Sequence, residues 1–176
     1  GYLGATSVDA GTLTLSGSLA STNLTVGTLA TLNAVSGSWL PTTSVLMADG
    51  LVNLDNSAVE ILTLLGAGTV NLNTTALTLA NGTFSGALNS TGSLVKVSGG
   101  LLTLSGNNGY AGATSVEAGT LTLSGTLAST SLTVGTLGTL NAAIGSLFPT
   151  TSVLTADGLV NLDNSAVEIL TLLGGG

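Results

Sequence analysis

Residues 1–68 return at 109–176, and this repetition at an offset of 108 limits the fold more than any other feature of the chain. Pairing the copies leaves differences at 11 of 68 positions, so 57 are identical. Repetition on this scale marks arrays in which each unit buries its apolar face by stacking on a neighbour. The chain divides into a first solenoid repeat unit, 1–108, and a second, incomplete copy, 109–176, of one continuous solenoid.

A shorter period lies inside the long one. Gly11, Gly27, Gly50, Gly68, Gly82, Gly100 and Gly119 follow one another at 16, 23, 18, 14, 18 and 19 residues, an average of 18. Three residues before each stands Val8, Leu24, Met47, Leu65, Leu79, Val97 or Val116; two after come Leu13, Leu29, Val52, Val70, Phe84, Leu102 and Leu121. Thr14, Asn53, Asn71, Ser85, Thr103 and Thr122 occupy the next position, which gives the period-2 alternation of a strand buried on one face. At the second coil Ala30 takes the outward slot and Leu32 restores the apolar position late, which predicts a bulge after Gly27. Glycine recurs too often for helices, and Thr12-Leu13-Thr14-Leu15 alternates β-branched and apolar residues. The expectation is an all-β, right-handed parallel β-helix of about 18 residues per coil and roughly ten coils, on the order of 45–50 Å long. An antiparallel sandwich or barrel is the competing architecture.

Composition then narrows function. The chain has no His, no Cys and a single base, Lys96, against eight acids, for a net charge of −7. Such a surface releases no counterions from nucleic acid or anionic lipid, so neither is an expected partner. Apolar residues make up 44% of the chain and aromatic ones 3%, which predicts a narrow aliphatic core. The most apolar run, Ala58 to Leu65, contains Glu60 and Thr63 and is far shorter than the ~20 residues a membrane span needs. No signal peptide opens the sequence, and a start at Gly1 suggests a processed or partial chain. One lysine also implies resistance to trypsin-like proteases.

The segment Asn108-Gly-Tyr110-Ala-Gly112-Ala-Thr114-Ser-Val116-Glu-Ala118-Gly119-Thr120-Leu121 follows Gly100-Leu-Leu-Thr-Leu-Ser-Gly106 and precedes Thr122-Leu123-Ser124-Gly125. It resembles the autotransporter-associated β-strand repeat, a leading G-x-L-T-L-S-G and then N-x-Y-x-G-x-T-x-V-x-A-G-T-L. Tyr2 to Gly17 resembles the same pattern without its leading strand. The resemblance covers about a quarter of the chain. It implies a parallel β-helix in a passenger domain or large repetitive adhesin exported across a bacterial outer membrane, and it implies no activity.

Parallel β-helices also carry polysaccharide-degrading enzymes, which work with clustered carboxylates. Here the nearest acids are Asp49 with Asp55, repeated as Asp157 with Asp163. Asp49 precedes a corner glycine and Asp55 a strand-end Asn, the ordinary placement of turn residues. Weak calcium binding is a lesser reading, since neither an EF-hand nor a glycine-rich nonapeptide is present. Thr12/Thr14 and Thr120/Thr122 raise the thought of ice binding, but Asn53, Asn71 and Ser85 interrupt any Thr lattice. No catalytic, cofactor or metal residues are therefore assigned, and an enzyme is not expected.

The coil between Gly27 and Gly50 is five residues longer than the mean, and Val35, Ser36, Trp39 and Leu40 change there to Ala143, Ile144, Leu147 and Phe148, beside Pro41 and Pro149. Length, proline and variability predict a protruding loop. Its apolar pairs, Trp39-Leu40 and Leu147-Phe148, either cover a coil corner or serve as contact points. The expected role is a structural segment of a long extracellular or cell-surface protein: a stalk, adhesin shaft or self-assembling fibre. The expected partners are further copies of itself or adjoining repeats, end-to-end or lateral. A glycan- or surface-binding module using the Trp39 loop is the alternative.

Overall fold

The computed structural model describes residues 3–42, 44–56, 58–163 and 169–175. Every strand pairing in it is parallel, which excludes the antiparallel sandwich, and the described residues contain no helix. The strands stack as a β-solenoid of about eight turns with about 19 residues per turn. Eight turns at ~4.8 Å each give a rod of about 40 Å, shorter than ten coils would give.

Each turn has three sides. Pairings chain the segments 6–8, 23–26, 45–48, 63–66, 81–84, 101–104, 120–123, 139–142 and 159–162 into the first side. The second side runs through 12–15, 31–34, 51–54, 69–71 and 87–89, then through 107–108 and 126–127. The third holds 58–61, 76–79, 93–96, 114–116, 131–134, 153–156 and 171–173. Long strands such as Thr6–Leu15, Asn23–Ala34 and Thr114–Leu123 bend around a corner and serve two sides.

The interior is a set of aliphatic columns, as the alternation predicts. Leu24, Leu46 and Leu64, then, past Gly82, Leu102, Leu121 and Leu140 stack behind the first side, and Leu32, Val52, Val70 and Leu88 behind the second. Phe84 is the one large ring in its column; it lies beside Gly66, and its tip fills the place where a Cβ on Gly86 would stand, 2.6 Å from Cζ. Outside runs the column Thr14, Asn33, Asn53, Asn71, Asn89, in which Asn33, Asn53 and Asn71 form a carboxamide ladder, with Asn53 Nδ2 to Asn33 Oδ1 and Asn71 Nδ2 to Asn53 Oδ1 both 2.8 Å.

The glycine corner also exists, but on a different set of residues. Gly50, Gly68, Gly86, Gly106 and Gly125 succeed one another, and a Cβ on each would stand 1.9–2.2 Å from a carbonyl oxygen of the turn before. Backbone approaches backbone too closely there for any side chain. The sequence period follows this ladder as far as Gly68 and then steps to Gly82, which sits over Leu64 on the first side. That 14-residue step leaves the corner a third of a turn early, and it is why 108 residues read as six coils.

Two further expectations are corrected by parity. Met47, Leu65 and Val97 lie partly exposed, while Leu46, Leu64 and Lys96 point inward. The bulge after Gly27 is present: Val8 pairs Val26 but Ala10 pairs Leu29, so Gly27 and Thr28 stand opposite Asp9 alone. It turns Leu29 out, 80% exposed, and buries Ala30, the reverse of the expected pair. The second copy repeats the shift between Val116 and Ala118.

Candidate contact site at the Trp39 corner

The long coil is real: Asn23 pairs Val45, a 22-residue turn, and Ser131 pairs Val153 in the same way. The extra residues do not form a loose loop. Trp39 bridges to Ser18 in parallel, its N–H donating to Gly17 O at 3.2 Å and its O accepting from Leu19 N–H at 3.0 Å. Leu147 does the same with Thr126, Gly125 and Leu127. The added length goes into turns on either side, closed by Ser38 N–H to Val35 O and Ser44 N–H to Pro41 O, both 2.9 Å. Buried Asn56 pins the first turn from the next coil: its Oδ1 accepts from Gly37 N–H at 3.0 Å, and its Nδ2 donates to Ser38 Oγ at 2.9 Å.

Each apolar pair therefore divides its duties. Trp39 and Leu147 are half exposed, whereas Leu40 is buried and Phe148 packs against the core. Trp39 borders a groove of about 270 Å³ whose other walls include Thr42, Glu60 and Thr78. An indole can stack on an apolar ring face, while a carboxylate and hydroxyls beside it accept hydrogen bonds from the rim of that ring. The second copy has no aromatic ring at the Trp39 position, because Leu147 stands there.

Asp49 and Asp157 behave as turn residues. Asp49 Oδ1 accepts from Ala67 N–H at 3.1 Å, and Asp157 repeats the contact with Gly175 N–H at 3.1 Å. Each caps the next turn at a corner rather than facing another carboxylate. Asp55 and Asp163 are exposed, and among the described residues no three acidic side chains gather. Of the repeated segment around them, 164–168 lies outside the described residues, Glu168 included.

One charged residue escaped sequence reasoning. Lys96 points inward on the third side between Leu79 and Val116, with no exposed surface. Its ammonium donates to Val97 O at 2.7 Å, Ser98 O at 2.8 Å and Ala118 O at 3.1 Å. Burial pushes its pKa below the ordinary 10.5. The signal was the alternation Leu94, Lys96, which competes with Val95, Val97; only the register against Leu77 and Leu79 decides between them.

The motif that carries the family resemblance is a structural clamp. Asn108, Tyr110 and Thr114 are all buried. Asn108 Nδ2 donates to Gly106 O and Thr126 O, both at 3.1 Å, tying two turns together. The Tyr110 hydroxyl pairs with Thr114 Oγ1 at 2.7 Å, and burial raises its pKa well above 10.0. Gly112 lies where a Cβ would come within 2.2 Å of Gly92 O. Tyr2, the counterpart of Tyr110, lies outside the described residues.

No curated protein and no solved structure matches the chain. Residues 94–123 match the family model described as passenger-associated-transport-repeat, and that match, on a parallel solenoid, fits a repeat of an autotransporter passenger, as the resemblance implied.

Proposed function

We propose that the chain is a shaft segment of a secreted or cell-surface passenger, a rigid spacer that holds other parts of the same protein away from the cell. The observation that carries this reading is the unbroken parallel ladder around one aliphatic interior, with the same registers in both copies: Thr6 on Leu24 and Thr114 on Leu132, Asn23 on Val45 and Ser131 on Val153. Adjoining turns of the same repeat are its natural partners. Leu172 continues the column over the buried Leu154, one turn on. Electron microscopy of the protein released from its source without refolding tests this. Uniform rods or filaments are expected; compact globular particles would overturn it.

A second reading rests on the exposed ring of Trp39 beside Glu60, which suits a neutral sugar on an otherwise acidic rod. A glycan-binding module loses retention on a neutral glycan array when Trp39→Ala is introduced. Retention unchanged by that substitution, or absent in the unaltered chain, removes this reading and leaves the shaft.

A further inference from the structure

The two copies share every local register but not their orientation. From Thr6 on the first side the chain completes five turns, returning to that side at Asn23, Val45, Thr63, Asn81 and Leu101. It then crosses the second side at Asn107–Asn108 and reaches Thr114, the counterpart of Thr6, on the third. One 108-residue unit is thus five and two-thirds turns, and the second copy is turned by one side about the rod.

The consequence is visible in residues that occur once per unit. Trp39 bridges Ser18 between the second and first sides, on the third, whereas Leu147 follows Thr126 on the second. Leu29 stands out at the corner between the first and second sides; Leu137, equally exposed, stands at the corner between the third and first. Identical sequence is therefore displayed in different directions, and among the described residues no two equivalent exposed apolar residues stack into one stripe.

We propose that a chain continuing this repeat is a three-sided display rod, in which each unit presents its Trp39/Leu147 corner one side further round than the unit before. With turns ~4.8 Å apart, successive corners are separated by about 27 Å along the rod, and three units, 17 turns, return the corner to its first side after about 80 Å. A plane laid along the rod then meets the same corner at every third unit. The same phase keeps equivalent exposed apolar residues off a single face, where six-turn units would align them about 29 Å apart.

The absence of cysteine makes a direct test available in this chain. Thr28, Thr136, Ser124 and Ile144 are all exposed. Thr28, Ser124 and Ile144 follow strand segments of the first side and share one corner, five and six turns apart. Thr136, the counterpart of Thr28, is five and two-thirds turns away on another corner. Spin labels on Thr28→Cys paired with each of the other three, as Cys, give distances by pulsed electron resonance. The expected order is Thr28/Ser124 shortest, Thr28/Ile144 next, and Thr28/Thr136 longest, although fewer turns separate that last pair than separate Thr28 from Ile144. A Thr28/Thr136 distance between the other two would place all four positions on one side and overturn the proposal. The pair Asp9→Cys/Glu117→Cys against Asp9→Cys/Ser124→Cys repeats the comparison: the first distance is expected to be the longer, and the reverse order would equally overturn it.

Discussion

Lys96 shows what a narrow solenoid demands of a single residue. A lone ammonium inside an aliphatic column is tolerated because three backbone carbonyls take its three N–H groups, without any carboxylate. Burial still disfavours the charged form, so the folded-state pKa lies below the unfolded value near 10.5. Between those two values the unfolded chain holds a proton that the folded chain has released, and stability rises with pH across that window. Urea denaturation at increasing pH, kept below the ordinary Tyr value of 10.0, is expected to show this rise, and Lys96→Met is expected to flatten it. An identical slope in both proteins would show that Lys96 titrates no differently when folded. The burial of Lys96 was hidden because composition places a lone charge outside. The roles of Asn108, Tyr110 and Thr114 were legible only as a pattern; their hydrogen bonds need a third dimension.

At the scale of the element, corners rather than strands carry the information. The strands were legible because Leu-x-Leu alternation writes its period directly into the sequence, as at Leu102-Thr103-Leu104. Corners were legible only in part, since glycine serves in several of them and sequence alone does not say which glycines share a column. Gly82 and Gly86 are the case in point: both meet backbone of the preceding turn, but only Gly86 continues the ladder from Gly68. Close approach gives a sharp contrast between glycines. Gly106→Ala would set a Cβ 1.9 Å from Gly86 O and is expected to destabilise by at least ~1–3 kcal/mol, the range of an overpacked core. Gly17→Ala meets nothing within 4 Å and is expected to be neutral or stabilising by up to ~1 kcal/mol. Urea midpoints of the two variants check this, and equal midpoints would contradict the ladder.

For the whole molecule, the repeat made the architecture legible and the miscounted corner distorted its dimensions. Parallel pairing, an aliphatic core and one continuous solenoid follow from stacking units that cannot bury their own faces. Three-sidedness and the 19-residue turn depend on where the chain bends; the bend at Asp49-Gly50 leaves no mark in the alternation, whereas the one after Gly27 left its mark in the late Leu32. The candidate contact residues divide the same way: variability between copies singled out the Trp39 corner, but the bridge to Ser18 and the clamp from Asn56 arise from neighbouring turns.

The measurement that tests the three-sided solenoid most directly is disulfide formation between engineered cysteines in this cysteine-free chain. Adjacent turns bring register partners within the Cα separation of ~4.4–6.8 Å that a disulfide bridges. Asn71 is the register partner of Asn89, 18 residues on, whereas a six-coil unit would place it against Ser85. Under mild oxidation Asn71→Cys/Asn89→Cys is expected to close an intramolecular disulfide, seen by mass spectrometry, and Asn71→Cys/Ser85→Cys to remain reduced. Closure of the second pair and not the first would contradict the account.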